Sequence, residues 1–287
     1  MGISVIIPTT CESDRRTSLL RAIDSVLNQL DTTVELIIVA NGSRVDPALL
    51  SSLRARSDLR LFYLDTGNLP LAQRYGRAQV TQDFFAFLDD DDEYLPGALA
   101  TRVAPMLKQP DLDVVVTNGY RRMAQEEHIQ IKNGAAVNSD PLMSLMSENW
   151  MASCAGLFRT SAITQDFFDG KTNFFEWTLM AFRIVSAGHK LTFLDVPTYR
   201  INDTPNSLSK SEEYQRAVVQ ILELLLTFDS SPGVRRALKE KLANAFHSVS
   251  DSYKQIGDRS QAWQYHLKSL LQPGGLKYLT YTRRLLF

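Results

Sequence analysis

Between residues 84 and 96 five apolar residues, Phe84-Phe85-Ala86-Phe87-Leu88, run directly into five acids, Asp89-Asp90-Asp91-Asp92-Glu93, and Pro96 then breaks the chain. A continuous apolar run of this length reads as a strand buried on both faces, which requires a parallel sheet covered by helices on each side. The acids then lie at the carboxyl end of that strand, the edge where open α/β sheets bind ligands. Five adjacent carboxylates repel one another. Water solvates them, but a divalent cation held by oxygen ligands neutralises them far better. An acidic run alone reads as a solvated turn. The buried strand before it points instead to a site for a metal and an anionic substrate.

The preceding residues supply the rest of such a sheet. Ile3 to Pro8 reads as a strand, residues 17 to 30 as a helix, Val34 to Ala40 as a strand and Pro47 to Arg56 as a helix. Leu59 to Leu64 reads as a third strand and Leu71 to Val80 as a third helix. Strand-helix alternation with short loops predicts a parallel, doubly wound nucleotide-binding sheet. Three loops leave one edge of it: Pro8-Thr9-Thr10, Asn41-Gly42-Ser43 and the acidic run. No glycine-rich dinucleotide or P-loop fingerprint follows the first strand, so a nucleotide must be held by loop side chains and a metal.

Downstream, Leu112 to Thr117 reads as a buried strand followed by a turn at Asn118-Gly119-Tyr120. Ser144 to Asn149 reads as a short helix, Cys154 to Arg159 as an edge strand and Glu176 to Ala187 as a helix stopped by Gly188. Lys190 to Pro197 reads as a last strand, and Thr204 to Lys210 as a lid or linker. From residue 211 the alternation stops, and three amphipathic helices form an all-α appendage. The 287 residues, with a net charge of -1, suit a globular protein and give no nucleic-acid footprint. Cys11 and Cys154 form no disulfide framework or metal spacing. With the first strand at Ile3 there is no room for a signal peptide, and no apolar run approaches the roughly 20 residues that span a bilayer. A cytoplasmic location, or one peripheral to the inner face of the membrane, is expected.

Four blocks resemble the inverting family-2 glycosyltransferases of the GT-A fold. They are Ile3 to Thr9, Ala22 to Gln29, Glu35 to Ser43, and Phe87 to Asp92 with Pro96. The resemblance covers residues 3 to 205. It implies a GT-A-like, mostly parallel sheet in a catalytic domain of residues 1–205, with a nucleotide-sugar half (1–110) and an acceptor half (111–205), followed by the helical extension 206–287. It also implies an enzyme, a glycosyltransferase of hexosyltransferase type, dependent on Mn²⁺ or Mg²⁺. The donor would be a nucleotide-diphosphate sugar and the acceptor a glycan or lipid-linked sugar, as in bacterial surface polysaccharide synthesis.

The same resemblance assigns roles. Asp91 and Asp89 of the Asp-x-Asp unit would meet the metal. Asp89 and Asp90, with Pro8, Thr9, Thr10 and Asn41, would hold the nucleotide sugar. Arg74 would reach a phosphate or the acidic loop, or else be a surface helix residue. Arg200 would be a phosphate partner or a rim salt bridge. Glu176 stands in the family's Glu-Asp pair as the base that takes the acceptor's proton, or is an acid at a favourable helix end. Beside Phe175 and Trp177 its pKa is expected to rise. Asp166 and Asp169 are reserve bases, Trp177 would stack on an acceptor sugar, and Glu93 would be a solvated acid. Ala40, Trp177 and Asn202 depart from the family pattern and favour a non-catalytic sugar- or nucleotide-binding module of the same fold. A metal-dependent nucleotidyltransferase shares the sheet and acids but needs a glycine-rich basic loop that is missing. Residues 276–287 mix basic, aromatic and aliphatic side chains, which suits either peripheral contact with a membrane interface or a packed terminal helix.

Overall fold

The computed structural model describes residues 2–30, 32–123, 126–168, 172–203 and 212–286, with residues 212–216 as backbone only. Asp169, the segment 204–211 that holds the expected lid, and Phe287 lie outside the described residues. The chain divides into two compact units, Met1–Pro205 and Asn206–Phe287.

The first unit begins β1 (Ile3–Thr9), α1 (Arg16–Leu27), β2 (Val34–Asn41), α2 (Pro47–Arg54), β3 (Arg60–Leu64), α3 (Leu69–Ala78), β4 (Phe84–Phe87). β1 pairs in parallel with β2 and β4, and β2 with β3. Every residue of β1 and β4 is buried, as the unbroken apolar runs require. Local chemistry starts the helices. Asp46 accepts hydrogen bonds from the Ala48 and Leu49 amides and Asn68 from the Leu71 amide, and a proline sits in each first turn. Gly76 lets α3 lie close to the sheet, since a Cβ there would stand 2.5 Å from Ile6 Cγ2 and 3.2 Å from Val39 Cγ2.

The unit continues with β5 (Glu93–Tyr94), α4 (Ala98–Lys108), β6 (Val114–Met123), β7 (Glu126–Ile129), α5 (Gly134–Ser139), α6 (Pro141–Ser147), β8 (Gly156–Arg159), α7 (Glu176–Ser186) and β9 (Leu191–Asn202). The strand order is β3-β2-β1-β4-β8-β6-β9-β5, with β7 beside β6. The sheet is parallel through its first four strands and mixed beyond them, because β8 runs antiparallel to both β4 and β6. Two local expectations are corrected. β8 is interior rather than an edge strand. The Asn118-Gly119-Tyr120 stretch continues β6 instead of turning. There Asn118 donates to the Ile131 carbonyl at 2.8 Å and to Asp195 at 2.6 Å, and Gly119 makes room for the Tyr199 ring. Register shifts against β9 flank Asn118, so the turn residues serve as a bulge.

The second unit contains α8 (Glu212–Leu225), α9 (Pro232–Gln255), α10 (Arg259–Leu270), a 3₁₀ segment (Gly275–Tyr281) and α11 (Thr282–Leu286). α9 packs against α8 and α10. Buried serines tie that pair: Ser250 donates to the Ala262 carbonyl and Ser269 to the Ala243 carbonyl. Among the described residues no helix is long and apolar enough to cross a membrane.

Candidate active site

The acids follow β4 as a tight turn, closed by a hydrogen bond from the Asp92 amide to the Asp89 carbonyl at 3.1 Å. Parallel pairing brings the ends of β1 and β2 to the same edge. Asp89 accepts 2.6 Å from Ser153 Oγ, on the 3₁₀ turn that leads into β8. Asp90 accepts from Thr9 Oγ1 at 2.6 Å and from Arg15 Nη1 at 3.1 Å, and the same guanidinium nitrogen lies 2.9 Å from Asp91. The Asp91 carbonyl accepts from Arg21 at 2.6 Å and from the Asn202 side chain at 2.8 Å, and the Asp92 carboxylate accepts from the Asn202 amide at 3.0 Å.

These acids are poorly hydrated. Burial pushes Asp89 up to about 7, with Asp91, Asp90 and Glu176 adding repulsion. Burial likewise pushes Asp90 up to about 6, and it raises Asp92 well above the ordinary carboxylate range. Among the described residues no three His, Cys, Asp or Glu side chains converge to hold a metal by themselves. The cluster nevertheless fits a hard divalent cation. Its donors are all oxygen, its charges are only partly compensated, by Arg15, and Mg²⁺-type ions commonly take only one or two carboxylates, with substrate phosphates and water completing the shell.

A test follows from linkage. A raised carboxylate stabilises the fold fully below its unfolded value of about 4, and that contribution is lost as pH rises through the folded value. For Asp90 and Asp89 the loss runs through about 6 to 7. A cation needs the deprotonated acids. Mn²⁺ with a nucleoside diphosphate is therefore expected to raise the melting temperature by several degrees at about pH 7.5 and far less at about pH 5. Equal shifts in thermal melts at both values would remove the acids from the cation's site.

The other expected residues fall into separate places. Pro8 and Thr9 end β1, with Pro8 opposite Val39 and Thr9 opposite Ala40, and Thr10 follows as the chain leaves the sheet. Thr9 Oγ1 also accepts the Cys11 amide, which stabilises Cys11 in a left-handed conformation with φ of 53°. Asn41 is buried with its amide engaged at both ends, on the Thr9 carbonyl and the Asn68 amide, so it fastens the loops together. Arg74 donates to the Phe168 carbonyl at 2.6 Å and not to the acidic loop. Arg200 lies 3.2 Å from Glu93 and also engages Glu127 at 2.5 Å. Glu93 is correspondingly not a solvated acid. Arg122 at 3.6 Å and Arg21 at 4.0 Å join Arg200 on it, and the Glu93–Arg200 pair is in register between β5 and β9. Asn202 Oδ1 accepts from Arg122 at 3.4 Å.

Glu176 opens α7, and its Oε1 accepts from the Phe174 amide at 3.0 Å. Phe174 and Phe175 both hold positive φ, 64° and 56°, a conformation that costs energy for bulky residues and clusters at functional sites. Trp177 packs edge-on against Phe87 at 5.2 Å and alongside Phe158 at 6.4 Å, so much of its ring serves the core. Glu176 and Trp177 line a pocket with Gln73, Phe168, Met180 and Arg183. Asp166 sits on the 3₁₀ turn Gln165–Phe167 just before this region.

Several residues near these groups escaped the sequence reading, Ser153 on Asp89 and Arg122 on Glu93 among them. Arg15 and Arg21 come from the loop after β1 and the first helix, the segment that any parallel sheet sends past the neighbouring strand's end. Their sequence signal is a basic pair of positions opposite an acidic run. Gln73 is buried with its Nε2 unpartnered among the described residues, facing the pocket that holds Glu176. No local sequence signal marks it.

A family model described as "Glycosyl transferase family 2" matches residues 4–183, more than half of the chain. The chain belongs to glycosyl transferase family 2. It is 34% identical over 103 residues to the GalNAc(5)-diNAcBac-PP-undecaprenol beta-1,3-glucosyltransferase of Campylobacter jejuni, covering 34% of this chain and 32% of that protein. It is 33% identical over 99 residues to the O-antigen biosynthesis glycosyltransferase WbnJ of Escherichia coli, covering 33% and 39%. An uncharacterized glycosyltransferase of Rickettsia typhi is 29% identical over 126 residues, covering 44% of this chain and 38% of that one. The matches thus span about two fifths or less of these relatives' lengths. The crystal structure of Staphylococcus aureus TarS residues 1–349 superposes with a TM-score of 0.64 at 16% identity, covering 99% of this chain and 88% of that one. Its complex with UDP-GlcNAc gives 0.65 and covers 94% and 82%. At such identity the likeness establishes the GT-A-like fold. The relatives that this family-2 chain resembles include an O-antigen biosynthesis glycosyltransferase and a glucosyltransferase named for an undecaprenol-linked substrate.

Proposed function

We propose that the protein transfers a sugar from a nucleotide-diphosphate donor to a hydroxyl of a glycan or lipid-linked acceptor, with inversion and with a divalent metal. The observation that carries this reading is the buried, under-compensated acid cluster at the end of β4, within electrostatic reach of Glu176. The UDP-GlcNAc complex of the structural neighbour and the undecaprenol-linked substrate in the name of the Campylobacter relative support the donor and acceptor classes. A place in bacterial surface polysaccharide synthesis accords with the Escherichia relative.

Asp91 and Asp89 are the residues that would hold the metal. Bound there, a divalent cation supplies electrostatic stabilisation of the departing diphosphate without proton transfer. Thr9, Arg15, Ser153 and Asn202 fix the acids before substrate arrives, which is what such stabilisation needs. Glu176, held by the Phe174 amide, removes the acceptor hydroxyl's proton as that oxygen bonds to the anomeric carbon and the carbon–phosphate-oxygen bond breaks on the opposite face.

Transfer and donor hydrolysis measured over a panel of nucleotide sugars, with and without Mn²⁺, test this reading. Metal-dependent release of a nucleoside diphosphate from at least one donor is the expected result. Nucleotide binding without turnover on any donor would favour a non-catalytic module, and neither binding nor turnover would remove the donor site altogether.

A further inference from the structure

After Asp258 the sequence contains no acidic residue, while Arg259, Lys268, Lys277, Arg283 and Arg284 give it five permanent positive charges. The same stretch exposes leucines that a monomer in water would normally cover: Leu271 is 83% exposed, Leu276 72%, Leu286 59% and Leu279 57%. Their placement follows from the 3₁₀ segment. With three residues per turn, side chains at i and i+3 eclipse. Gly275, Tyr278 and Tyr281 therefore share the inward row, where Tyr281 is buried and Tyr278 stacks on His247 at 3.8 Å. Leu276 and Leu279 share an outward row, and Lys277 with Thr280 forms the next one, continued by the exposed Arg283.

The inward row is firmly seated, so the outward face is a fixed feature of the unit. Tyr281 donates to Asp251 at 2.9 Å and packs with Ala262 and Leu285, and Tyr278 donates to Asn244 at 2.9 Å. Gly275 lies so close to the Ser269 carbonyl that a Cβ would stand 1.9 Å from it. The nearby acids of α9 are committed elsewhere: Asp251 to Tyr281 and Gln255, and Glu240 to Arg236. Among the described residues Lys277, Arg283 and Arg284 have no ion-pair partner.

We propose that this face, formed by Leu271, Leu276, Lys277, Leu279, Arg283 and Leu286, docks on the surface of an anionic lipid bilayer. Exposed leucines interleaved with unpaired cations are the composition of interfacial segments, where apolar side chains enter the acyl boundary and the charges meet lipid phosphates. Charge complementarity separates this occupant from a second copy of the chain. A two-fold contact would bring the same cationic face against itself. The inference is independent of the proposed donor chemistry, and its test uses no substrate.

The full chain should be sedimented with phosphatidylcholine vesicles, with and without about a third of phosphatidylglycerol, at low and high salt. Binding is expected to the anionic vesicles alone and to fall steeply with salt. Lys277→Glu and Arg283→Glu are each expected to weaken it about five-fold. The pair Leu276→Glu and Leu279→Glu should weaken it more than ten-fold, about the effect of withdrawing two apolar anchors, without changing helical circular dichroism. Equal or absent binding to both vesicle types overturns the proposal. So does concentration-dependent self-association that the double leucine variant abolishes, because the face would then join two copies.

Discussion

Glu176→Gln is expected to lower sugar transfer about a thousand-fold while leaving nucleotide affinity unchanged. The carboxamide oxygen can still accept the Phe174 amide that the carboxylate accepts at 3.0 Å, so the first turn of α7 should survive. What is lost is the ability to take a proton. The decisive readout is therefore kcat with donor and acceptor saturating. Transfer at the wild-type rate would show that another group takes the proton, and Asp166 would be the first to examine. The paired left-handed residues before Glu176 sharpen the expectation, because strain of this kind persists where the surrounding structure holds a side chain in one place.

Asp91→Asn is expected to lower transfer about a hundred- to a thousand-fold and to abolish the Mn²⁺-dependent rise in melting temperature. The same substitution should leave the metal-free protein as stable as the wild type or slightly more so. Asp91 is among the charges that raise Asp89, and neutralising it removes a like-charge repulsion inside a buried cluster. Activity and stability then move in opposite directions, the pattern of a site whose charges await a counter-ion. An equal loss of stability and activity would instead mark Asp91 as structural, held for its contact with Arg15 at 2.9 Å. Thermal melts with and without metal, beside steady-state kinetics, distinguish the two.

The sequence displayed the first half of the sheet because burial on both faces leaves an unbroken apolar run, and β1, β2 and β4 each carry one. It displayed the second half less well. Asn118-Gly119 has the composition of a turn, yet contacts with Ile131 and Asp195 hold it inside β6. The run Gly156–Arg159 has the composition of a strand, but nothing local says that it enters the middle of the sheet antiparallel to β4. The candidate site divides in the same way. The acids and Glu176 stood out because charge beside apolar sequence is conspicuous. Their partners did not, since Ser153 meets Asp89, and Arg15 meets Asp90, only across 64 and 75 residues of chain. Glu93 was misread for the same reason, its arginines arriving from α1, β6 and β9.

The link between Asn202 and the acidic turn also bears on how the protein is made. Chains emerge from the ribosome amino end first, at about 5–20 residues per second. The acids appear early, beside strands they can already join, but the Asn202 that grips Asp91 and Asp92 follows 111 and 110 positions later. Until then the turn has its Thr9, Arg15, Arg21 and Ser153 contacts but lacks the two bonds from Asn202. Under the proposed function, a nascent chain would thus hold its first four strands before the cation's seat is finished. On that reading, β9 would complete the seat only once almost all of the first unit has been made.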